Sequence, residues 1–266
     1  QLRDTDCEVV YIDLSKTSMK RAQQRARNRD LTNIKWIHGS LLDLPNLGLG
    51  KFDYINCVGV LHHLENPTDG LTALRDVLKP DGAMGLMVYG KYGRSGIYAL
   101  QDLMKRINEG EPDPRKNVDC TKRVLLELPR TNWYMRGMNR QSMIESFIEN
   151  ENNLYDTFLH SHDKAYTVPE LYEWVESNDL NLNSFTNYNC TQIEKLKYLP
   201  KMKIEDPIVR SRICNLPTRE QQAIAELVTG DISLHTFYIS FRKKTTANPR
   251  DLNNILCGVC SWCFKY

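Results

Sequence analysis

Apolar runs of strand length alternate with stretches of helical period from Glu8 to Tyr89. Glu8 to Leu14 is a nearly continuous apolar run interrupted late by Asp13, the pattern of a buried strand. Lys16 to Arg29 keeps a thin stripe of Met19, Ala22 and Ala26 among basic residues and predicts a helix. Ile34 to His38, Phe52 to Val58 and Ala83 to Tyr89 predict three more strands. Between the last two, Leu71, Leu74 and Leu78 share one helical face, and Pro80 and Gly82 are expected to end that helix. Strand and helix alternating in this way predict a parallel sheet wrapped by helices.

From Gly93 to about Asp163 the pattern becomes helical without strands. Ile97, Leu100, Met104 and Ile107 fall on one face, and Val124, Leu125 and Leu128, then Met143, Ile144, Phe147 and Ile148, repeat the period. Asp119 and the Asn150 to Asn153 run read as solvated loops. The alternation then resumes. Thr167-Val168-Pro169-Glu170 is a capping box opening a helix with Leu171, Trp174 and Val175 inward. Leu182 to Tyr188 is the next strand. A further helix is expected to start at a Thr218/Gln221 capping box and stop at Gly230, before an alternating strand from His235 to Arg242. This organisation predicts a core over 1–92 that is truncated at its N-terminus, a helical insertion or lid over 93–163, the rest of the core over 164–244 and a tail over 245–266.

Composition narrows the class. The chain has 266 residues, 41% hydrophobic and 26% charged, with a formal net charge of +2. It is long enough for one large core, and its near-balanced charge nominates no polyanion partner. No run reaches the length of a membrane span. Five cysteines are scattered and three close the chain as Cys257-x-x-Cys260-x-x-Cys263. Scatter predicts reduced thiols and a cytoplasmic setting, whereas the terminal trio has thiolate spacing but no fourth ligand beside it.

Candidate chemistry sits at strand ends. Asp13 leaves its strand at the carboxyl edge, where open α/β sheets bind ligands; its carboxylate can accept from both hydroxyls of a ribose or simply cap the strand end. Gly59 follows Cys57 and Val58 where the central strand ends, and lacks a Cβ that would keep a ligand off the backbone. His62 and His63 come next. One of them could act as a general base or orient a substrate, or the pair could only pack the loop. Arg94, in the YGRSG turn, could pair with an acidic substrate group. Tyr89, Tyr92, Tyr98, Trp133, Tyr134 and Tyr166 are candidates to line a lid. His160 and His162 raise a metal reading against that of a polar loop, and Lys195 to Lys203 a phosphate reading against that of a solvated face.

The strand Val9 to Ser15, then Phe52 to Arg94 with its Gly-Val-Leu-His-His-Leu corner and Lys-Pro-Asp-Gly turn, resembles a class I S-adenosylmethionine-dependent methyltransferase. The resemblance implies a Rossmann-like α/β sheet with helices on both faces, an antiparallel closing strand and helical insertions. It implies S-adenosylmethionine as cofactor, held by Asp13 and Leu14 at the ribose, Ser40 and Leu41 at the adenine edge, and Cys57, Val58 and Gly59 at the methionine part. His62 and His63 become the catalytic candidates. The acceptor is expected to be a small molecule or a protein side chain. No Asn-Pro-Pro-Tyr-type motif is present, which disfavours nucleobase acceptors. The family's acidic-x-Gly-x-Gly-x-Gly loop is absent from these residues, and so is its first strand, which normally lies between those ending at Asp13 and Val58. A rival reading is therefore a non-catalytic interaction module that keeps the fold. A nicotinamide-dependent oxidoreductase would share Asp13 but leaves the His-His corner without a role.

Overall fold

The computed structural model describes residues 8–136, 140–160, 162–186, 196–200 and 204–243. The terminal cysteine trio, the tail and much of the Lys195 to Lys203 stretch lie outside the described residues. Strand β1 (Val9–Asp13) feeds helix α1 (Lys16–Arg27), whose first turn is capped by the Ser15 hydroxyl accepting from Ser18 N. Strand β2 (Ile34–His38) lies parallel to β1, with Val9 opposite Ile34 and Asp13 opposite His38. After β3 (Phe52–Val58), helix α2 (Pro67–Asp76) begins at Asn66, which caps Thr68 N, and β4 (Leu78–Gly90) runs parallel to β3.

One expectation fails at this point. Leu78 belongs to β4 and not to α2, and Pro80 and Gly82 lie within the strand rather than ending the helix. Phe52 N already bonds Val77 O, and Leu78 pairs with Phe52, so the ladder starts before the Lys-Pro-Asp-Gly turn. The register then slips between Phe52 and Tyr54, an irregularity that absorbs the proline. Gly82 is required there because a Cβ would stand 2.9 Å from the Asp53 carbonyl oxygen.

Four helices follow: α3 (Ser95–Ile107), α4 (Pro114–Glu127), α5 (Arg140–Glu149) and α6 (Glu151–Phe158). Asp119 is therefore helical and not in a loop, and Asn150 caps Asn153 N at the start of α6 rather than lying in a solvated run. Asn and Asp are poor helix formers but good caps, which is what the loop reading overlooked. These helices bury their own apolar cluster, including Leu100, Leu125, Tyr134, Ile144, Leu154 and Phe158.

A short strand β5 (Ala165–Tyr166) joins the end of β4, and α7 (Val168–Glu176) opens with the predicted capping box, Thr167 and Glu170 bonding each other's backbone. Strand β6 (Asn181–Thr186), α8 (Pro207–Cys214), α9 (Thr218–Thr229) and β7 (Leu234–Ser240) complete the described residues. Thr218 does not cap α9; Pro217 is its cap residue, and Gln221 turns back to donate to Leu216 O. Gly230 ends α9 with φ of 68°, as expected of a left-handed stop.

The sheet has two parts. β3-β4-β7-β6 is one, with β4–β7 and β6–β7 antiparallel, and β1-β2 is the other. Among the described residues no strand links β1 to β3, yet Val10 and Ile12 share one core with Ile55 and Cys57. No helix of the described residues is long and apolar enough to cross a membrane.

Candidate active site

The carboxyl ends of the parallel strands carry the predicted residues. Asp13, nearly buried at the end of β1, accepts from Ser15 N at 2.7 Å and from the Tyr11 hydroxyl at 2.9 Å. The strand-end cap is thus realised, and each carboxylate oxygen keeps a further lone pair. Leu14 stands 74% exposed and its carbonyl is 3.0 Å from His38 Nε2. Ser40 caps the turn after β2 by accepting from Leu42 N at 3.2 Å, which commits its hydroxyl to the backbone. Leu42 is exposed, whereas Leu41 packs inward toward α2, near Gly70. Gly70 is also approached by Leu61 and Leu64, so the turns after β2 and β3 converge on one helix.

At the end of β3, the Cys57 thiol is fully buried and burial pushes it up to about 12, which leaves it inert as a nucleophile. Val58 is buried, and Gly59 takes φ of 76° while its N–H donates to Met87 O. A side chain there would be strained, which agrees with the choice of glycine.

The two histidines have different surroundings. His62 is fully buried, its ring 3.8 Å from that of Tyr89 and 4.3 Å from that of His63. Neither of its nitrogens makes a hydrogen bond of good geometry. Burial, reinforced by His63 and Arg94, pushes it down to about 2, against a weak opposing pull from the Met87 carbonyl. It is a neutral ring in a stack. His63 is half-buried and its Nδ1 lies 3.1 Å from the His162 carbonyl. A carbonyl only accepts, so Nδ1 carries the proton and Nε2 keeps a lone pair. Desolvation lowers the His63 pKa, so the ring is neutral around its ordinary titration range.

Sequence reasoning misses the partner of this corner. Arg94 does not await an acidic substrate: it pairs with Asp163 at 3.0 Å, the two side chains being 7% and 3% exposed. Asp163 also accepts from the Tyr98 hydroxyl at 3.1 Å and from Gln101 Nε2 at 3.0 Å. The guanidinium lies 3.5 Å over the Tyr89 ring. A column therefore runs Arg94, Tyr89, His62, His63, His160, the last pair 4.3 Å apart. The only sequence hint was the acid beside His160 and His162 in LHSHDKAY. His160 stacks on His63, and the His162 backbone carbonyl faces His63 Nδ1.

The aromatic candidates divide. Tyr89 and Tyr98 face the corner, Tyr134 is core of the helical cluster, Tyr166 stacks on Trp174, and Tyr92 and Trp133 are exposed.

Residues 1–84 match a family model described as a methyltransferase domain. An uncharacterized protein of Synechococcus sp. is 28% identical over 234 residues, covering 87% of this chain and 54% of that protein. The tRNA 5-carboxymethoxyuridine methyltransferase of Escherichia coli O157:H7 is 24% identical over 159 residues, covering 57% of this chain and 60% of the enzyme. The chain thus spans little more than half the length of these relatives. The solved structure of PKMT2 from Rickettsia typhi in complex with AdoHcy superposes with a TM-score of 0.66 at 15% identity, covering 93% of this chain and 47% of that one, a likeness of fold. The family match lies across the strands that carry Asp13 and Cys57, and the fold is shared over 93% of this chain with a protein whose solved structure holds AdoHcy.

Proposed function

We propose that this protein binds S-adenosylmethionine along the carboxyl edge of β1, β2 and β3 and catalyses methyl transfer to an acceptor held beside His63. The observation that carries the reading is the state of His63. Its Nδ1 is tied to a carbonyl, its Nε2 is left as a proton acceptor, and desolvation keeps the ring neutral.

The residues at the strand ends fit the cofactor. Asp13 has acceptor capacity left for a ribose, and the exposed Leu14 and Leu42 offer the apolar surface that an adenine ring would cover. Leu41 backbone, with Ser40 beside it, would border the adenine edge, and the backbone of Cys57, Val58 and Gly59 would border the methionine part. S-adenosylmethionine, when bound, supplies a methyl group on a sulfonium centre whose departure leaves a neutral thioether. The chain's own part is alignment and exclusion of water. His63 takes the acceptor's proton at Nε2, and His62 serves as the packed ring that holds His63 in place. The acceptor is a small molecule or a protein side chain. The scattered free thiols, Cys57, Cys120 and Cys214 among them, support a cytoplasmic setting.

A second reading, a methyltransferase-like interaction module, draws on the division of the sheet between β1 and β3. Calorimetric titration with S-adenosylmethionine and S-adenosylhomocysteine separates the two. One-to-one saturable binding that weakens in Asp13→Ala is expected, with His63→Gln keeping cofactor binding but losing turnover. A folded chain that binds neither compound would sink the enzyme reading in favour of the module.

A further inference from the structure

His162, Asp163 and Lys164 are consecutive, and each bonds a different part of the histidine corner or of α3. The His162 carbonyl meets His63 Nδ1 at 3.1 Å, and Lys164 N donates to His62 O at 3.0 Å. Between them the Asp163 side chain, 3% exposed, is taken up by α3 and its cap residue Arg94. Its Oδ2 accepts from Arg94 Nη2 and from Gln101 Nε2, both at 3.0 Å, and its Oδ1 from the Tyr98 hydroxyl at 3.1 Å. Gln101 Nε2 also reaches Thr157 O in α6 at 2.8 Å. Three residues of chain thus bridge the helical insertion and both histidines.

Stability alone is a poor reason for this bridge. A buried ion pair desolvates both partners, so its net contribution to folding is small, and its better-attested use is to fix one arrangement. An imidazole needs such fixing. Its proton can sit on Nδ1 or on Nε2 unless a neighbour selects one of them, and a neutral ring with the proton on Nε2 offers no base there. At His63 the selecting group is a backbone carbonyl. A carbonyl has no rotamer of its own, so its aim is set by the course of the chain through His162, and that course is held by whatever anchors Asp163.

We infer that Asp163 is a positioning residue for His63: anchored by Arg94, Tyr98 and Gln101, it keeps the His162 carbonyl on Nδ1 and so holds the proton acceptor at Nε2. The helical insertion then acts on the base through one carboxylate. This deepens the reading of His63 as the base and rests on it for the reaction; the link between Asp163 and the tautomer stands without it.

The test uses the full chain labelled with ¹⁵N at its histidines, at a pH above the ordinary histidine range, where long-range ¹H–¹⁵N spectra tell protonated from bare ring nitrogens. Loss of one set of signals in His63→Gln assigns His63. Its proton is expected on Nδ1 in the wild type. Asp163→Asn keeps one acceptor oxygen for the buried donors but loses the charge, and should lower the ratio of the Nδ1–H to the Nε2–H form about tenfold, the worth of one hydrogen bond. His235 is the internal control: its Nε2 faces Tyr166 O and its Nδ1 the Tyr198 hydroxyl, each at 2.9 Å, so its signals should stay unchanged. A proton on His63 Nε2 in the wild type, an unchanged ratio in Asp163→Asn, or an equal change at His235 overturns the inference. Where Asp163→Asn does not fold, Tyr98→Phe removes one donor and leaves the ion pair, and should lower the ratio about twofold; no change there overturns the inference equally. S-adenosylhomocysteine is titrated into the same samples. Its binding with an unchanged ratio refutes the positioning role and spares the methyltransferase reading; a lowered ratio in a chain that does not bind it does the reverse.

Discussion

Strand β4 pairs with β3 on one side and β7 on the other, and its Met84, Leu86 and Val88 are fully buried. Strand β2 pairs with β1 alone among the described residues, and none of its five residues is fully buried. Both strands carry β-favouring residues, Ile34, Trp36 and Ile37 in one and Val88 and Tyr89 in the other, and they differ in what covers them. The five-stranded part is the platform from which Tyr89, Arg94 and the histidine corner project. The two-stranded part bears Asp13 and the exposed Leu14, and relies on the shared core around Val10 and Ile12 for its anchorage.

Asp163→Ala tests the platform hardest. It strands the buried Arg94 guanidinium and should cost about 3–5 kcal/mol in a urea titration, because an unpaired buried charge is more damaging than a lost pair. Leu86→Ala in β4 should cost about 2–5 kcal/mol by the same measurement, through lost transfer energy and the cavity left behind.

Acid acts on the platform too. His62 is held near 2 in the folded chain against its ordinary value of 6.5, so below pH 6.5 the unfolded chain binds a proton that the folded chain refuses. Its contribution to stability is thus full above pH 6.5 and falls as pH drops toward 2, by about 1.4 kcal/mol per pH unit. Urea midpoints at pH 7 and pH 5 should show a steeper acid loss in the wild type than in His62→Phe.

Ile37→Ala in β2 removes a half-buried side chain and should cost about 1 kcal/mol. A cost equal to that of Leu86→Ala would break the comparison. Amide hydrogen exchange sharpens it: β2 is expected to exchange well before the β4–β7 ladder, since opening energies track burial and pairing.

Much of the fold was legible because its signals are local. The period-two run Phe237, Ile239, Phe241, the Thr167 to Glu170 box and the stop at Gly230 each depend on residues within one or two turns. Local signals misled where residues outside the motif decided the outcome. Leu78 has helical spacing with Leu71 and Leu74, but Phe52, remote in sequence, recruits it to the ladder. The Thr218/Gln221 spacing fits a box, but Pro217 takes the cap position and Gln221 reaches back to Leu216.

The site shows the same division. That Asp13 ends a strand, that Gly59 follows one and that two histidines come next are statements about neighbours along the chain, and residue pattern alone establishes them. Which histidine is buried without a hydrogen bond and which is poised depends on Tyr89, His160 and the His162 carbonyl. The pairing of Arg94 with Asp163 spans 69 residues. Alternation along a chain specifies which face of an element is apolar, but carries no record of which elements close on one another. Desolvation, tautomer and charge pairing are set by those distant contacts, and so only the folded chain decided them.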